Sequence, residues 1–498
     1  VLPAYSETPR YAAAAIDGDG RALIGWSEAP DDNEDIFMRR YAYDATALGP
    51  PVRMHARARR IRCAAAAVDR RTAHMAAAWY DEEQPGIYVR LFDDQGRADT
   101  TEIQLEDFHD GAFREICCAM DGRIFCAYRN NTVGHLHIIE QDGSLVQWRS
   151  EQSGDSLYGL SLDAEGDRVV LAWTNPRLHT DSVAQVQAMV CDYDGSRIAD
   201  SVLVGTGSGA HVAVCPDGGF VVAYHRVSTR YFQGIPISTT SNVYMRRFDN
   251  EGTPVSNEIQ LNEGGWEGLQ PCVGVDGRGR ITAAWRREVD MFTYEVYFRR
   301  FDSLASPLGV VVRADEGADS KTRLDIAVND DGALALCWEN MASNQIEMRM
   351  FSTDNTPHSG VHLPSSRTVT IPAPSPSIDA GGDRLLLSWV DITAQESTER
   401  DVWAEVWEID DQGPTGLYSP APHAAHGPWH TPLHEKKVTA LFAAVFDPAG
   451  RRIARLPASA FSLRALRRAG ITPGVYIIRY YSPDAPHTTH RVQRLFLR

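Results

Sequence analysis

At 498 residues, 43% hydrophobic and 23% charged, the chain has ordinary globular composition and is too long for one compact core, so it should divide into domains or a repeated array. The net charge of −17 is unevenly spread: from Lys437 onward eleven Lys or Arg face only Asp447 and Asp484, a balance of +9, leaving −26 for residues 1–436. The acidic body argues against nucleic acid or an anionic membrane surface as a partner, and no apolar stretch approaches the roughly 20 residues of a transmembrane helix.

The opening segment VLPAYSETPR has neither a basic nor an apolar stretch, so a signal peptide has been removed or never existed. From there a turn followed by an apolar strand ending in an aromatic recurs, as in DGDGRALIGW, MDGRIFCAY, CPDGGFVVAY and NDDGALALCW. The terminal aromatics are Trp26, Trp79, Tyr128, Trp173, Tyr224, Trp285, Trp338 and Trp389, spaced 45 to 61 residues apart. Each unit has an apolar strand before the turn (YAAAAID, HVAVCPD, LDIAVND). After the aromatic comes an alternating strand, DIFMRRY at 35, GIYVRLF at 86, NVYMRRF at 242, EVYFRRF at 295 and QIEMRMF at 345. A short fourth strand follows, as in EIQLE at 102 and EIQLN at 258. Arg39, Arg90, Arg246, Arg299 and Arg349 share one register and are read as scaffold residues whose stems pack on the sheet.

Units of four antiparallel strands, repeated without intervening helical pattern, predict an all-β fold over residues 1–420: an eight-bladed β-propeller, or seven-bladed if the third unit is degenerate. The repeated aromatics are expected to fill the space between adjacent blades. The chain resembles propeller-repeat proteins in general. It has neither the Ser-x-Asp-x-Gly-x-Thr-Trp box of sialidases nor the Gly-His and Trp-Asp pairs of WD40 units, so no activity is carried over.

The loops between second and third strands, and the links between units, vary in length and chemistry and should emerge at one end of the channel. The longest is predicted from His225 to Asn242 and carries Tyr231 and Phe232. Trp266, Phe292, Tyr294, Phe108 and Phe113 lie in loops of the same kind. Aromatics among acidic and amide groups suit a carbohydrate platform or a protein-binding hot spot, or pin the loops to the scaffold.

No catalytic residue stands out. Carboxylates such as Glu288 and Asp290 are too numerous to mark a glycosidase pair, and Gly-x-Ser-x-Gly, phosphate-loop and His-Glu-x-x-His motifs are absent. No cofactor is indicated. Calcium is considered only for the run Asp31, Asp32, Glu34 and Asp35, which lacks the spaced ligands of an EF-hand and reads as a solvated turn. The eight cysteines form no C-x-x-C pair and mostly sit in apolar runs. A hairpin at Asp121 and Gly122 would set Cys117 opposite Cys126, the one cross-strand disulfide considered.

Residues 421–436 read as a Pro/His-rich linker, and residues 437–498 as a small β-sandwich with strands VTALFAAVFD, RRIARLP, GVYIIRYYS and HRVQRLFLR. The order VFDPAGRRIARL, ITPGVYIIRY, RVQRLFLR resembles the C-terminal sorting domain of proteins exported by the bacterial type IX secretion system. That resemblance implies that Gly450, Gly474, Val475 and Tyr476 belong to a fold read by outer-membrane secretion machinery. It also implies that the protein reaches the cell surface or the medium through the periplasm. The Pro-Asn-Pro step opening many such tails is replaced by HGPWHTPLHEKK. The expected function is a secreted or surface binding protein engaging a protein or glycan through the variable propeller face. The alternatives are an extracellular carbohydrate-active hydrolase or lyase and a structural subunit of a surface assembly.

Overall fold

The structure is a computed structural model that describes residues 12–16, 21–28, 35–42, 48–50, 52–55, 61–69, 74–81, 83–93, 97–98, 102–107, 113–120, 123–130, 133–140, 143–149, 158–175, 184–192, 194–232, 235–262, 267–290, 293–317, 319–343, 345–358, 360–361, 377–381, 384–392, 400–410, 413–417, 442–446, 452–457, 474–482 and 485–497. It divides into two compact units, Val1–Ala425 and His426–Arg498. The linker expected at 421–436 lies outside the described residues.

Within the first unit the strands pair antiparallel with their sequence neighbours and form successive separate sheets. Six run without interruption from residue 61 to 351, and one more flanks the run on each side, at 12–53 and 377–417. They are numbered here from first to eighth along the chain. The fifth is typical, with Ser208–Val214, Phe220–Phe232, Ile235–Phe248 and Ile259–Gln260 in that order. The seventh has three strands among the described residues. In each sheet the first strand lies innermost and touches the first strand of the next sheet, which is the arrangement of a β-propeller.

The core is a set of layers between sheets, and the repeated aromatics fill them. Trp79 packs against Leu23, Met38 and Met54 of the first sheet, and Tyr128 against Ala76 and Ala78 of the second. Trp285 packs against Val221 and Met245 of the fifth sheet, and Trp338 against Cys272 and Phe298 of the sixth. Trp79, Tyr128, Tyr224, Trp285 and Trp338 are fully buried and Trp173 nearly so. For Trp26 and Trp389 only the strand position is described, opposite Phe37 and Trp403. Across the sheet the aromatic meets a second ring: Trp79 on Tyr88, Tyr224 on Tyr244, Trp285 on Tyr297.

The repeated arginines sit over the aromatic two residues on, at 5.5 to 5.8 Å in the pairs Arg90–Phe92, Arg246–Phe248, Arg299–Phe301 and Arg349–Phe351. Arg90, Arg246 and Arg349 also donate to the carbonyls of Met54, Val204 and Ala314 in the preceding sheet. These contacts tie each sheet to the one before it.

A second set of ties joins the inner strands. Asp163 accepts the Val214 N–H at 2.7 Å, Asp325 the Ile378 N–H at 3.1 Å and Asp379 the Ile16 N–H at 3.0 Å. Each carboxylate also accepts the N–H of the residue that follows it. The last of these clasps joins the eighth sheet to the first. Asp379→Ala strips the acceptor from two partly buried amides and should cost about 1 to 3 kcal/mol, read as a lower denaturation midpoint; an unchanged midpoint would show that the clasp carries no stability.

Three sequence expectations change. The stretch from His225 to Asn242 is not a loop: Phe220–Phe232 and Ile235–Phe248 pair out to Phe232 opposite Ile235, because VSTRYF and ISTTSN are rich in residues that suit a pleated surface. Cys126 lies opposite Cys118, with Cys117 opposite Ala127, so Cys117 is not the cross-strand neighbour of Cys126. In the second unit the described strands form one four-stranded sheet, in the order Arg452–Pro457, Phe442–Phe446, Gly474–Ser482, Ala485–Leu497, where a two-sheet sandwich was expected. Gly474, Val475 and Tyr476 open its third strand opposite Leu497, Phe496 and Leu495, and Gly450 lies outside the described residues.

Candidate functional site

The register of the sheets creates equivalent positions whose chemistry is free to differ. Six inner strands carry a bulge on the side where the long hairpins project, and in four of them, among the described residues, a residue of the bulge takes a positive φ: Gly159 (63°), Gly209 (66°), Gln270 (46°) and Arg323 (53°). Glycine adopts this conformation at little cost. Gln270 and Arg323 adopt it against the Cβ clash, and backbone strain of this kind concentrates at functional sites.

Beside the bulges runs a second row, the residue after each repeated aromatic. In the fourth to seventh sheets these are Thr174, His225, Arg286 and Glu339. Thr174 accepts the Gly209 N–H at 3.1 Å. His225 pairs through Nε2 with Ser208 Oγ at 3.1 Å, and its ring lies so close to Gly209 that a Cβ there would stand 2.9 Å from Nδ1. Burial, helped by the Arg286 charge, pushes the His225 imidazole below its ordinary value.

Arg286 is 7% exposed; it donates from Nη1 to the Lys321 carbonyl at 3.0 Å and stacks 4.7 Å over Tyr294. Burial lowers its pKa. Glu339 accepts from Thr322 Oγ1 at 3.1 Å and lies 3.5 Å from Arg323 Nε.

Behind this rim stands a buried ion pair. Lys321 Nζ lies 3.3 Å from Glu347 Oε2, which also accepts the Trp338 indole N–H at 2.6 Å, while Glu347 Oε1 accepts from Asn340 at 2.6 Å. In the sixth sheet Glu267, Glu288 and Tyr294 sit side by side on three strands. Burial and the adjacent Glu288 carboxyl, to which it hydrogen bonds, raise the Glu267 pKa. Two carboxyls in direct contact are closer than the roughly 5 Å or more that a glycosidase pair spans, so this pair lacks the spacing that flanks a glycosidic bond.

Deeper along the inner strands His211 Nδ1 accepts the Val273 N–H at 3.3 Å, and burial holds this imidazole down to about 4, so it stays a neutral acceptor. Asp325 is pushed up to about 6 by burial, against 3.8 for an ordinary aspartate. The folded state therefore takes up a proton between these values that the unfolded chain does not, and this carboxyl should make the protein more stable as pH falls from 7 towards 5. Asp325→Asn should flatten that dependence; an unaltered pH profile of the melting temperature would contradict the assignment.

Of the aromatics expected to line a site, only Tyr294 has its side chain described, and it is half-buried under Arg286. Tyr231 and Phe232 lie at the far end of the fifth-sheet ribbon, opposite Pro236 and Ile235, and Phe113 opens a third-sheet strand opposite Asn130. Trp266, Phe292 and Phe108 lie outside the described residues, as do Asp31, Asp32 and Glu34, while Asp35 pairs with Glu28 in the first sheet. Among the described residues no three His, Cys, Asp or Glu side chains converge as metal ligands, and no helix is long and apolar enough to cross a membrane. Sequence reasoning missed Gln270, Arg286, Lys321 and Arg323. Aligning the units on their aromatics would have exposed the second row, because the column after the aromatic changes from Thr to His to Arg to Glu.

No family profile and no curated protein matches the sequence. Among solved structures, the β-propeller domain of the trilobed protease from Pyrococcus furiosus is similar at 8% identity over 70% of this chain and 98% of its own, with a TM-score of 0.42. The Dos1 propeller is similar at 8% identity over 76% and 90%, with a TM-score of 0.45. Prolyl oligopeptidase B from Galerina marginata is similar at 8% identity over 80% and 56%, also with a TM-score of 0.45. The activities in these names belong to those proteins. The class defined by this chain's own sheets is an all-β propeller of repeated units followed by a second small unit.

Proposed function

We propose that the protein is a secreted or surface-displayed binding protein that engages a glycan or protein partner through the hairpin-bearing face of its propeller. The observation that carries this reading is the rim: positions made equivalent by the register hold Thr174, His225, Arg286 and Glu339, and two of the four positive-φ bulges keep strained Gln270 and Arg323 where glycine would fit. A scaffold requirement alone would favour one residue type per column. Screening the purified protein on a glycan array and on polysaccharide digests tests the reading, alongside a variant in which residues 227–241 are replaced by a tight turn. Specific binding lost with the ribbon supports it; product release from a polysaccharide would replace it with the hydrolase or lyase alternative.

In this proposal all eight sheets of the first unit close into one ring as blades, with the Asp379 clasp to Ile16 as the seam. The tail serves as the type IX sorting signal and directs the protein across the outer membrane to the exterior. The support is the Gly474-Val475-Tyr476 step and the basic closing strand within a four-stranded sheet. Removing residues 437–498 should leave the protein in the periplasm of its host, and unchanged export of the shortened chain would end the sorting assignment.

A further inference from the structure

Buried donors without acceptors are rare in folded proteins, yet three gather where the sixth and seventh sheets meet. Arg286 Nε, Arg323 Nη1 and Ser320 Oγ are each enclosed by protein and make no hydrogen bond. They share a neighbourhood, because Arg286 reaches across to the carbonyl of Lys321, the residue after Ser320 and two before Arg323. Arg286 is more than nine-tenths buried and makes no ion-pair contact with a carboxylate among the described residues; its charge meets the Tyr294 ring, one carbonyl and, at longer range, the Glu288 carboxylate. A buried guanidinium is ordinarily balanced by an anion. Arg323 also holds its place at a φ of 53°, and Gln270, exposed on the neighbouring inner strand, at 46°.

The two guanidinium nitrogens can only donate and the Ser320 hydroxyl can donate as well, so an acceptor complements all three, and the guanidinium edge fits the two oxygens of a carboxylate. Glu288, Glu267 and Glu339 stand close by, which favours a single negative charge over a phosphate dianion. The same carboxyls and the Gln270 amide accept or donate to hydroxyls, which a sugar ring carries and a peptide terminus does not. We propose that the rim between the sixth and seventh sheets binds an acidic sugar, with Arg286 and Arg323 holding its carboxylate and Gln270 with the Glu267–Glu288 pair meeting ring hydroxyls. This rests on the loop-face reading and names its ligand class.

The test is calorimetric titration of the full chain with a trigalacturonate, its neutral galactose counterpart, an acetylated tripeptide with a free C-terminal carboxylate, and inorganic phosphate. The uronate should bind about tenfold or more tighter than the neutral sugar. Arg286→Gln should weaken it by about tenfold or more. Because Arg286→Gln also disturbs a buried site, Arg323→Gly is the second variant: it relieves the strained φ, so its melting temperature should hold or rise while uronate affinity falls by about tenfold.

Equal affinity for acidic and neutral sugar, or uronate binding untouched by Arg323→Gly, would overturn the assignment. Tighter binding of the peptide or of phosphate would overturn the sugar. If every uronate arm fails while the array still shows binding that depends on residues 227–241, this inference is lost and the loop-face reading survives.

Discussion

Trp285→Ala should lower the stability of the propeller by about 3 to 5 kcal/mol, the range for emptying a buried aromatic site. The indole is 1% exposed and fills the layer between the fifth and sixth sheets, among Ala213, Val221, Ala223, Met245 and Ala283. Three of these neighbours are alanines, with no side chain long enough to swing into the space, so the cavity would persist rather than collapse. The ring also stacks on Tyr297 at 6.4 Å, a contact that would be lost with it. Trp285→Phe keeps part of that contact and should cost less. Urea unfolding of both variants measures the difference. An alanine variant with the wild-type midpoint would mean that the aromatic does not hold the two sheets together.

That prediction could be framed on the sequence, because strand alternation and a terminal aromatic are local signals that survive in every unit. The third unit, with its short MDGRIFCAY, still forms its own four-stranded sheet. What alternation hides is the bulge. One extra residue at Gly159, Gly209, Gln270 or Arg323 shifts the phase of side chains by one, so residues on either side of it exchange faces. Counting from the turn therefore misplaces what lies beyond the bulge, and the rim residues beyond it escaped notice.

The hairpin at His225 to Asn242 was misread for a different reason. Polar β-branched residues resemble a loop by hydropathy and a strand by shape, and pairing with each other decided in favour of the strand. Cys126 shows how fine the limit is: a turn displaced by one residue changes its partner from Cys117 to Cys118. The tail aromatics and alternation foretold strands, and four strands formed, but the number of sheets they build depends on long-range pairing that no local pattern encodes.

Glu347→Ala should be as damaging as the loss of a core tryptophan, although nothing in QIEMRMF distinguishes this glutamate from a surface residue. Its column, the cross-strand partner of the repeated aromatic, holds a ring in six other sheets, Phe37, Tyr88, His135, Tyr244, Tyr297 and Trp403, and Gln187 in the fourth. In the seventh sheet the ring is replaced by a carboxylate that binds Trp338, Asn340 and Lys321 at once. Lys321 is fully buried, and removing its counter-ion leaves an ammonium with no carboxylate, a change that typically costs about 3 to 5 kcal/mol. The indole N–H and the Asn340 amide would lose their acceptor as well.

Glu347→Gln separates the two effects, since the amide oxygen still accepts from Trp338 while the charge is gone. Adding Lys321→Met then removes the stranded cation, so the double variant should be more stable than Glu347→Gln alone. Paired urea titrations of the three proteins read this order directly. If Glu347→Ala costs less than about 1 kcal/mol, or if Lys321→Met deepens the loss, the pair is solvated in solution and the seventh sheet owes its stability to the Trp338 layer alone.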